Sequence, residues 1–183
     1  MTRVLLFISF LILAPHTLFA APGTNRNFVS ADAGFSMFGE TGNRENLFRS
    51  LSQATRGGLR WGNWGAYVHV EPAFWIAAEG KDDETWAGVL NIGLGGEYLY
   101  AKGFVRTSVT VGPSVLLMGT DIDTIGQTGF FLDIRPTGLR WQVADAIVVG
   151  LDPIALSITV PALDGIPLVE IAYRTILSGE YLF

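Results

Sequence analysis

The 183-residue chain is 49% hydrophobic with a mean hydropathy of +0.37. Beyond residue 20 no apolar run approaches the ~20 residues of a membrane helix, so the apolar content needs either a large core or a closed barrel. Cysteine is absent, which excludes a disulfide framework and a cysteine-linked lipid anchor, and a net charge of −5 argues against nucleic acid, whose phosphates demand clustered cations.

Residues 1–20 carry Arg3, an apolar run from Val4 to Ala14, and small residues at Ala20 and Ala21. This is the arrangement of a secretory signal peptide cut near Ala20. The run is too short to span a bilayer, and Pro15 and His16 interrupt it. Residues 21–183 hold no Pro/Ser-rich linker and read as one domain.

Eight strands are predicted within it. In the first, 28–38, Val29, Ala31, Ala33, Phe35 and Met37 alternate with Ser30, Asp32, Gly34 and Ser36, the period-two split of a strand with one apolar and one polar face. The second lies between 50 and 62 and is the faintest, because Leu47, Phe48, Leu51 and Ala54 would suit a helical turn equally well. The third, 67–76, sets Val68, Val70, Phe74 and Ile76 against Tyr67, His69, Glu71 and Ala73, and the fourth, 86–100, sets Trp86, Leu90, Ile92, Leu94, Tyr98 and Tyr100 against Ala87, Asn91, Gly93, Gly95 and Glu97. In the fifth, Val105, Val109, Val111, Val115 and Leu117 oppose Arg106, Ser108, Thr110, Gly112 and Ser114.

The sixth, 129–142, carries Asp133, Arg135 and Arg140. In the seventh, 146–160, apolar parity switches from Ile147, Val149 and Leu151 to Ile154, Leu156, Ile158 and Val160, which implies a bulge near Asp152-Pro153. The last strand puts Val169, Ile171, Tyr173, Leu177, Tyr181 and Phe183 on one face and Glu170, Ala172, Arg174, Ser178 and Glu180 on the other. Connections two-three (Asn63-Trp64), four-five (Ala101-Lys102-Gly103) and six-seven (143–145) are tight, whereas the others are longer and acidic, with the first above ten residues. Short turns at one end and longer loops at the other match an outer-membrane barrel with both termini in the periplasm.

With its terminal Glu180-Tyr181-Leu182-Phe183, the chain resembles the small eight-stranded outer-membrane barrels of the OmpA or OmpX type. The resemblance is one of pattern over nearly the whole mature chain. It implies an antiparallel up-and-down transmembrane β-barrel at the cell outer membrane, among lipids and lipopolysaccharide. It also implies insertion by the outer-membrane assembly machinery, with Phe183 as assembly signal. A monomer is expected. Pro72, Pro113, Pro136 and Pro153 fall within strands of a fold that has no edges, so each should mark a bulge, or else the strands break and a soluble sandwich forms.

The charged inward faces gather Asp32, Glu71, Glu97, Asp133, Glu170 and Glu180 beside Arg60, Arg106, Arg135, Arg140 and Arg174, with His69. Eight strands enclose only enough space for side chains, and unpaired charges there would be costly, so a paired network that plugs the lumen is expected. His69 beside Glu71 lacks a recognisable nucleophile motif, so no catalytic residue is expected. Lys81-Asp82-Asp83-Glu84 and Asp121-Ile122-Asp123 read as solvated loops; the latter fails as an EF-hand at Ile125 and Leu132. No metal or cofactor is expected. Trp61, Trp64, Trp86, Tyr98, Tyr100, Trp141 and Tyr181, near strand ends, form an aromatic girdle. The function expected is a structural or surface-interaction role; a narrow channel for small solutes comes second and a lipid-modifying enzyme third.

Overall fold

Eight strands follow one another around a closed barrel in chain order, each antiparallel to the next. They are β1 (Arg26–Thr41), β2 (Phe48–Trp61), β3 (Trp64–Ala77), β4 (Trp86–Tyr100), β5 (Val105–Met118), β6 (Thr128–Ala144), β7 (Ile147–Val160) and β8 (Glu170–Leu182). The structure, a computed structural model, describes residues 25–41, 48–77, 86–118, 127–160 and 169–183; the signal-peptide reading and the acidic loop runs lie outside them. β8 closes onto β1 from Phe28 opposite Leu182 to Thr41 opposite Glu170. Asn27 N donates to Phe183 O at 2.9 Å, and Phe183 N returns a bond to Asn27 O at 3.0 Å. Closure leaves no unpaired edge, which an apolar medium could not solvate.

Tight turns at Gly62-Asn63, Ala101–Phe104 and Asp145-Ala146 mark one end. Gly62 supplies the positive φ (+59°) that the first of them needs. That turn lies one residue earlier than the spacing suggests, and Trp64 already pairs with Trp61. At the other end residues 42–47 separate β1 from β2, a shorter first loop than expected.

The faint second strand is a full one. Ser50, Ser52, Ala54, Arg56 and Arg60 are buried while Leu51, Gln53, Thr55, Gly57 and Leu59 are exposed, so the helical alternative fails.

The prolines divide into two kinds. Pro136 and Pro153 lie at bulges, where register shifts between Ile134 and Thr137 on β6 and between Asp152 and Ala155 on β7. Each bulge moves the lumenal face by one residue, from Asp133 and Arg135 to Gly138 and Arg140, and from Asp152 to Ala155. The freed carbonyls are not left bare. Thr107 Oγ1 on β5 donates to Pro136 O at 2.6 Å, and Thr175 Oγ1 on β8 donates to Pro153 O at 3.0 Å. Pro72 and Pro113 are not bulges, contrary to expectation. Pro72 keeps its place opposite Leu90 and Pro113 opposite Phe130; pairing lapses on their other side, between Ser52–Ala73 and Thr55–Val70 and between Asn91–Ser114 and Leu94–Val111, and resumes in the same register. A missing donor is thus absorbed as a gap in the ladder.

Candidate functional site

Strand alternation sends the charged residues inward, where they form one connected network. At the turn end Glu180 of β8 is the hub. Its carboxylate meets Arg106 Nη1 and Arg140 Nη2 at 2.7 Å each and Arg60 Nη1 at 2.9 Å. Arg60 also binds Glu97, and Arg140 Nη1 donates to Gly103 O at 3.1 Å. Arg106 Nη2 continues to Asp152 at 2.7 Å, and Arg135 Nη1 joins Asp152 (3.2 Å) to Asp32 (2.6 Å). Asp32 holds Arg56 Nε at 2.9 Å. Toward the loop end Arg135 Nε binds Asp133 at 2.9 Å, Arg174 Nη2 binds Asp133 at 3.2 Å, and Arg174 Nη1 reaches Glu71. All these side chains are buried.

Six guanidinium groups meet six carboxylates here, so their formal charges balance. Ions packed at such distances in a dry interior are tolerable only when each is paired and hydrogen-bonded. The seventh lumenal carboxylate, Glu170, is buried without an ion-pair partner among the described residues.

All twelve expected lumenal residues are inside. Sequence reasoning missed Arg56 and Asp152, both fully buried. Arg56 sits on the faint second strand. Asp152 precedes the β7 bulge, and its parity with Val148 and Gly150 was the available signal. The matching segments Gly58-Leu59-Arg60-Trp61 and Gly138-Leu139-Arg140-Trp141 bring their arginines from strands four apart onto the same Glu180 carboxylate.

Aromatic rings complete the filling. Tyr67 reaches over Gly95 of β4 to Thr110 Oγ1 of β5 at 2.9 Å, with the Arg56 guanidinium 5.3 Å from its ring centroid. It packs with Phe28, Val148 and Leu182, and Arg60 lies 4.0 Å over the Phe28 ring. Tyr67 can lie there only because Gly95 has no side chain: a Cβ at that position would run into the ring. Gly95→Val should therefore displace Tyr67, lowering the unfolding midpoint and changing near-ultraviolet circular dichroism; unchanged spectra would show that the ring does not depend on Gly95.

His69 is fully buried, 3.4 Å from Glu71 through Nε2 and 5.7 Å from the Phe131 ring centroid. Ser108 and Ser114 are buried with hydroxyls that make no hydrogen bond. His69 and Glu71 are brought together, but neither serine joins them as a nucleophile.

The outer wall is the inverse of the lumen. Large apolar side chains point outward from all eight strands, among them Phe35, Leu51, Val68, Leu94, Val111, Phe130, Ile154 and Leu177. Among the described side chains the exposed charges are Arg26, Lys102 and Asp145, all at the turn end. There Trp61, Trp64, Tyr98, Tyr100, Tyr181 and Phe183 are exposed, with Trp64 edge-on to Tyr98 at 4.8 Å and Trp141 against Phe104 at 5.7 Å. Six of the seven residues expected in the girdle thus lie at the turn end; the side chain of the seventh, Trp86, at the loop end, lies outside the described residues. The shortest strand has 13 residues, which at about 3.3 Å each and a tilt of about 40° rises roughly 33 Å, more than an apolar band of ~25 Å.

No protein-family model matches the chain, and no curated protein is significantly similar to it. Solved structures are similar in fold. Neisserial surface protein A matches 86% of this chain and 97% of its own at 13% identity and a TM-score of 0.56. OprG of Pseudomonas aeruginosa matches 89% and 97% at 8% identity and 0.52. Ail, the attachment invasion locus protein of Yersinia pestis in complex with the heparin analogue sucrose octasulfate, matches 87% and 97% at 10% identity and 0.50. The chain has the fold of the small eight-stranded outer-membrane barrels.

Proposed function

We propose that this chain is an outer-membrane β-barrel, exported by a cleaved signal peptide and set with its turn end in the periplasm. Its role is structural or in surface interaction, and it is neither a transporter nor an enzyme. The observation that carries this reading is the charge-balanced network of six arginines and six carboxylates that occupies the lumen. The apolar outer wall, on which the exposed charges among the described side chains lie only at the turn end, supports a lipid environment, and Phe183, outward at the β1–β8 seam, is the candidate contact for the assembly machinery.

The surface role is shaped by where the charge goes. Segments 42–47, 78–85, 119–126 and 161–168 join the strands at the loop end. They hold Arg44 and Lys81 against Glu45, Glu79, Asp82, Asp83, Glu84, Asp121, Asp123 and Asp164. Such a surface repels polyanions, so a ligand like the heparin analogue bound to Ail does not suit it. A cationic partner does.

A narrow channel is the second reading. It is favoured by buried guanidinium nitrogens without hydrogen-bond partners, such as Arg56 Nη1 and Arg60 Nη2, which water would satisfy. Planar bilayers separate the two: the protein is expected to be silent. Unitary conductance steps altered by Arg106→Ala or Arg135→Ala would overturn the structural reading in favour of the channel.

A further inference from the structure

β4 and β8, four strands apart, finish at the turn end with nearly the same sequence. Leu94-Gly95-Gly96-Glu97-Tyr98-Leu99-Tyr100 and Leu177-Ser178-Gly179-Glu180-Tyr181-Leu182-Phe183 agree at five of seven positions and close on an aromatic ring. The two segments also have the same shape. Glu97 and Leu99 are buried as Glu180 and Leu182 are, and both carboxylates meet Arg60. Tyr98 and Tyr100 are exposed and stacked, with ring centroids 6.3 Å apart and planes inclined by 18°; for Tyr181 and Phe183 the values are 6.1 Å and 24°. Each outward glycine lies between an alanine and a valine, Gly96 between Ala66 and Val109, Gly179 between Ala31 and Val149.

The finished barrel does not require this likeness. The lumen loads the carboxylates unequally, with three close guanidinium groups on Glu180 and, among the described residues, one on Glu97. A membrane interface favours aromatic rings at strand ends, but β2 and β6 meet that demand with Trp61 and Trp141 in a different frame. The glycines are the clearest case. Glycine weakens a strand interior and is kept where a positive φ or a close approach demands it. Neither Gly96 nor Gly179 has a positive φ; a Cβ at Gly179 would meet nothing within 4 Å, and one at Gly96 nothing closer than 3.9 Å. What each glycine does leave is a notch in the outer wall beside two rings. At Gly179 it opens an apolar depression of about 380 Å³, whose lining includes Ala31, Ile147 and Tyr181.

We propose that the ends of β4 and β8 are two copies of one docking segment, so that the assembly machinery meets the chain at Gly96, Tyr98 and Tyr100 as well as at Gly179, Tyr181 and Phe183. Until β5 closes on β4 and β1 closes on β8, each strand has a free edge. A partner strand adds to such an edge through main-chain hydrogen bonds, and the notch and two rings at alternate outward positions supply the selectivity. The inference rests on the reading of Phe183 as a contact for that machinery.

The test compares insertion rates into vesicles that contain the purified machinery with folding rates into detergent, where it is absent. Tyr98→Ala/Tyr100→Ala and Tyr181→Ala/Phe183→Ala should each lose most of the machinery-dependent rate and keep the detergent rate. Trp61→Ala/Trp141→Ala, which removes two rings of the same girdle, should keep both. Gly96→Val is the sharper probe, because it fills the notch at a position where a Cβ has room. Its unfolding midpoint in detergent should hold or rise while insertion by the machinery slows. If only Tyr181→Ala/Phe183→Ala slows insertion, the β4 copy is an inherited duplicate and the proposal falls, while Phe183 keeps its role. If neither ring pair has a machinery-specific effect, Phe183 loses that role and the proposal falls with it. Equal slowing of the β4 pair with and without machinery, equal slowing by Trp61→Ala/Trp141→Ala, or a Gly96→Val chain inserted at the wild-type rate would each overturn it as well.

Discussion

Glu180→Gln is expected to be the most damaging single charge removal in the lumen, lowering stability by roughly 3–5 kcal/mol, the cost of breaking a buried ion pair from one side. Glu180 carries three close guanidinium groups, at 2.7, 2.7 and 2.9 Å, and no other carboxylate of the network serves as many at hydrogen-bond distance. Each arginine keeps one other acceptor: Arg106 has Asp152, Arg140 has Gly103 O, and Arg60 has Glu97. The damage therefore comes from three cations left crowded around a neutral amide, not from bare donors. Glu97→Gln should cost less, because Arg60, its one ion-pair partner among the described residues, retains Glu180. Glu180→Gln combined with Arg140→Gln restores the charge balance and should recover part of the loss. Denaturant titration of the barrel in vesicles, followed by the mobility shift between boiled and unboiled samples, gives the order. If Glu97→Gln is as harmful as Glu180→Gln, the hub does not exist.

How much of this was legible in the sequence follows from what each strand faces. In β4, Ile92, Leu94 and Tyr98 contrast so sharply with Asn91, Gly93 and Glu97 that its bounds agree with the structure at both ends. In β2 the outward positions Gln53, Thr55 and Gly57 are neither charged nor strongly apolar, so the period-two signal fades and Arg56 goes unseen with it. Pairings across the lumen were beyond reach. Parity places Arg60, Arg140 and Glu180 inside, but only the stagger of the closed barrel brings β2 and β6 to the same height on β8. The prolines show the same limit: a parity switch marks Pro153, whereas nothing in the sequence separates a bulge from the in-register gaps at Pro72 and Pro113.

Leu94→Arg should decide what medium surrounds the barrel, because the two media predict different results. Leu94 is 69% exposed in the middle of β4, beside the outward Val68 of β3 and Val111 of β5. In water, charging so exposed a position changes stability by about 0.5 kcal/mol or less, since surface substitutions rarely do more. In lipid the guanidinium must leave its hydration behind or drag water inward, which near the bilayer midplane costs roughly 2–4 kcal/mol. Lys102→Arg at the turn end is the control, already charged and outside the apolar band, and should be silent in either medium. Folding into vesicles under a urea gradient reads the difference directly. The absence of any described charge between the two ends of the outer wall is explained by lipid alone if Leu94→Arg is costly there and Lys102→Arg is not. Should the Leu94→Arg protein fold in detergent-free buffer with unchanged stability, the apolar wall would be facing something other than a membrane, and the proposed outer-membrane role would fall with it.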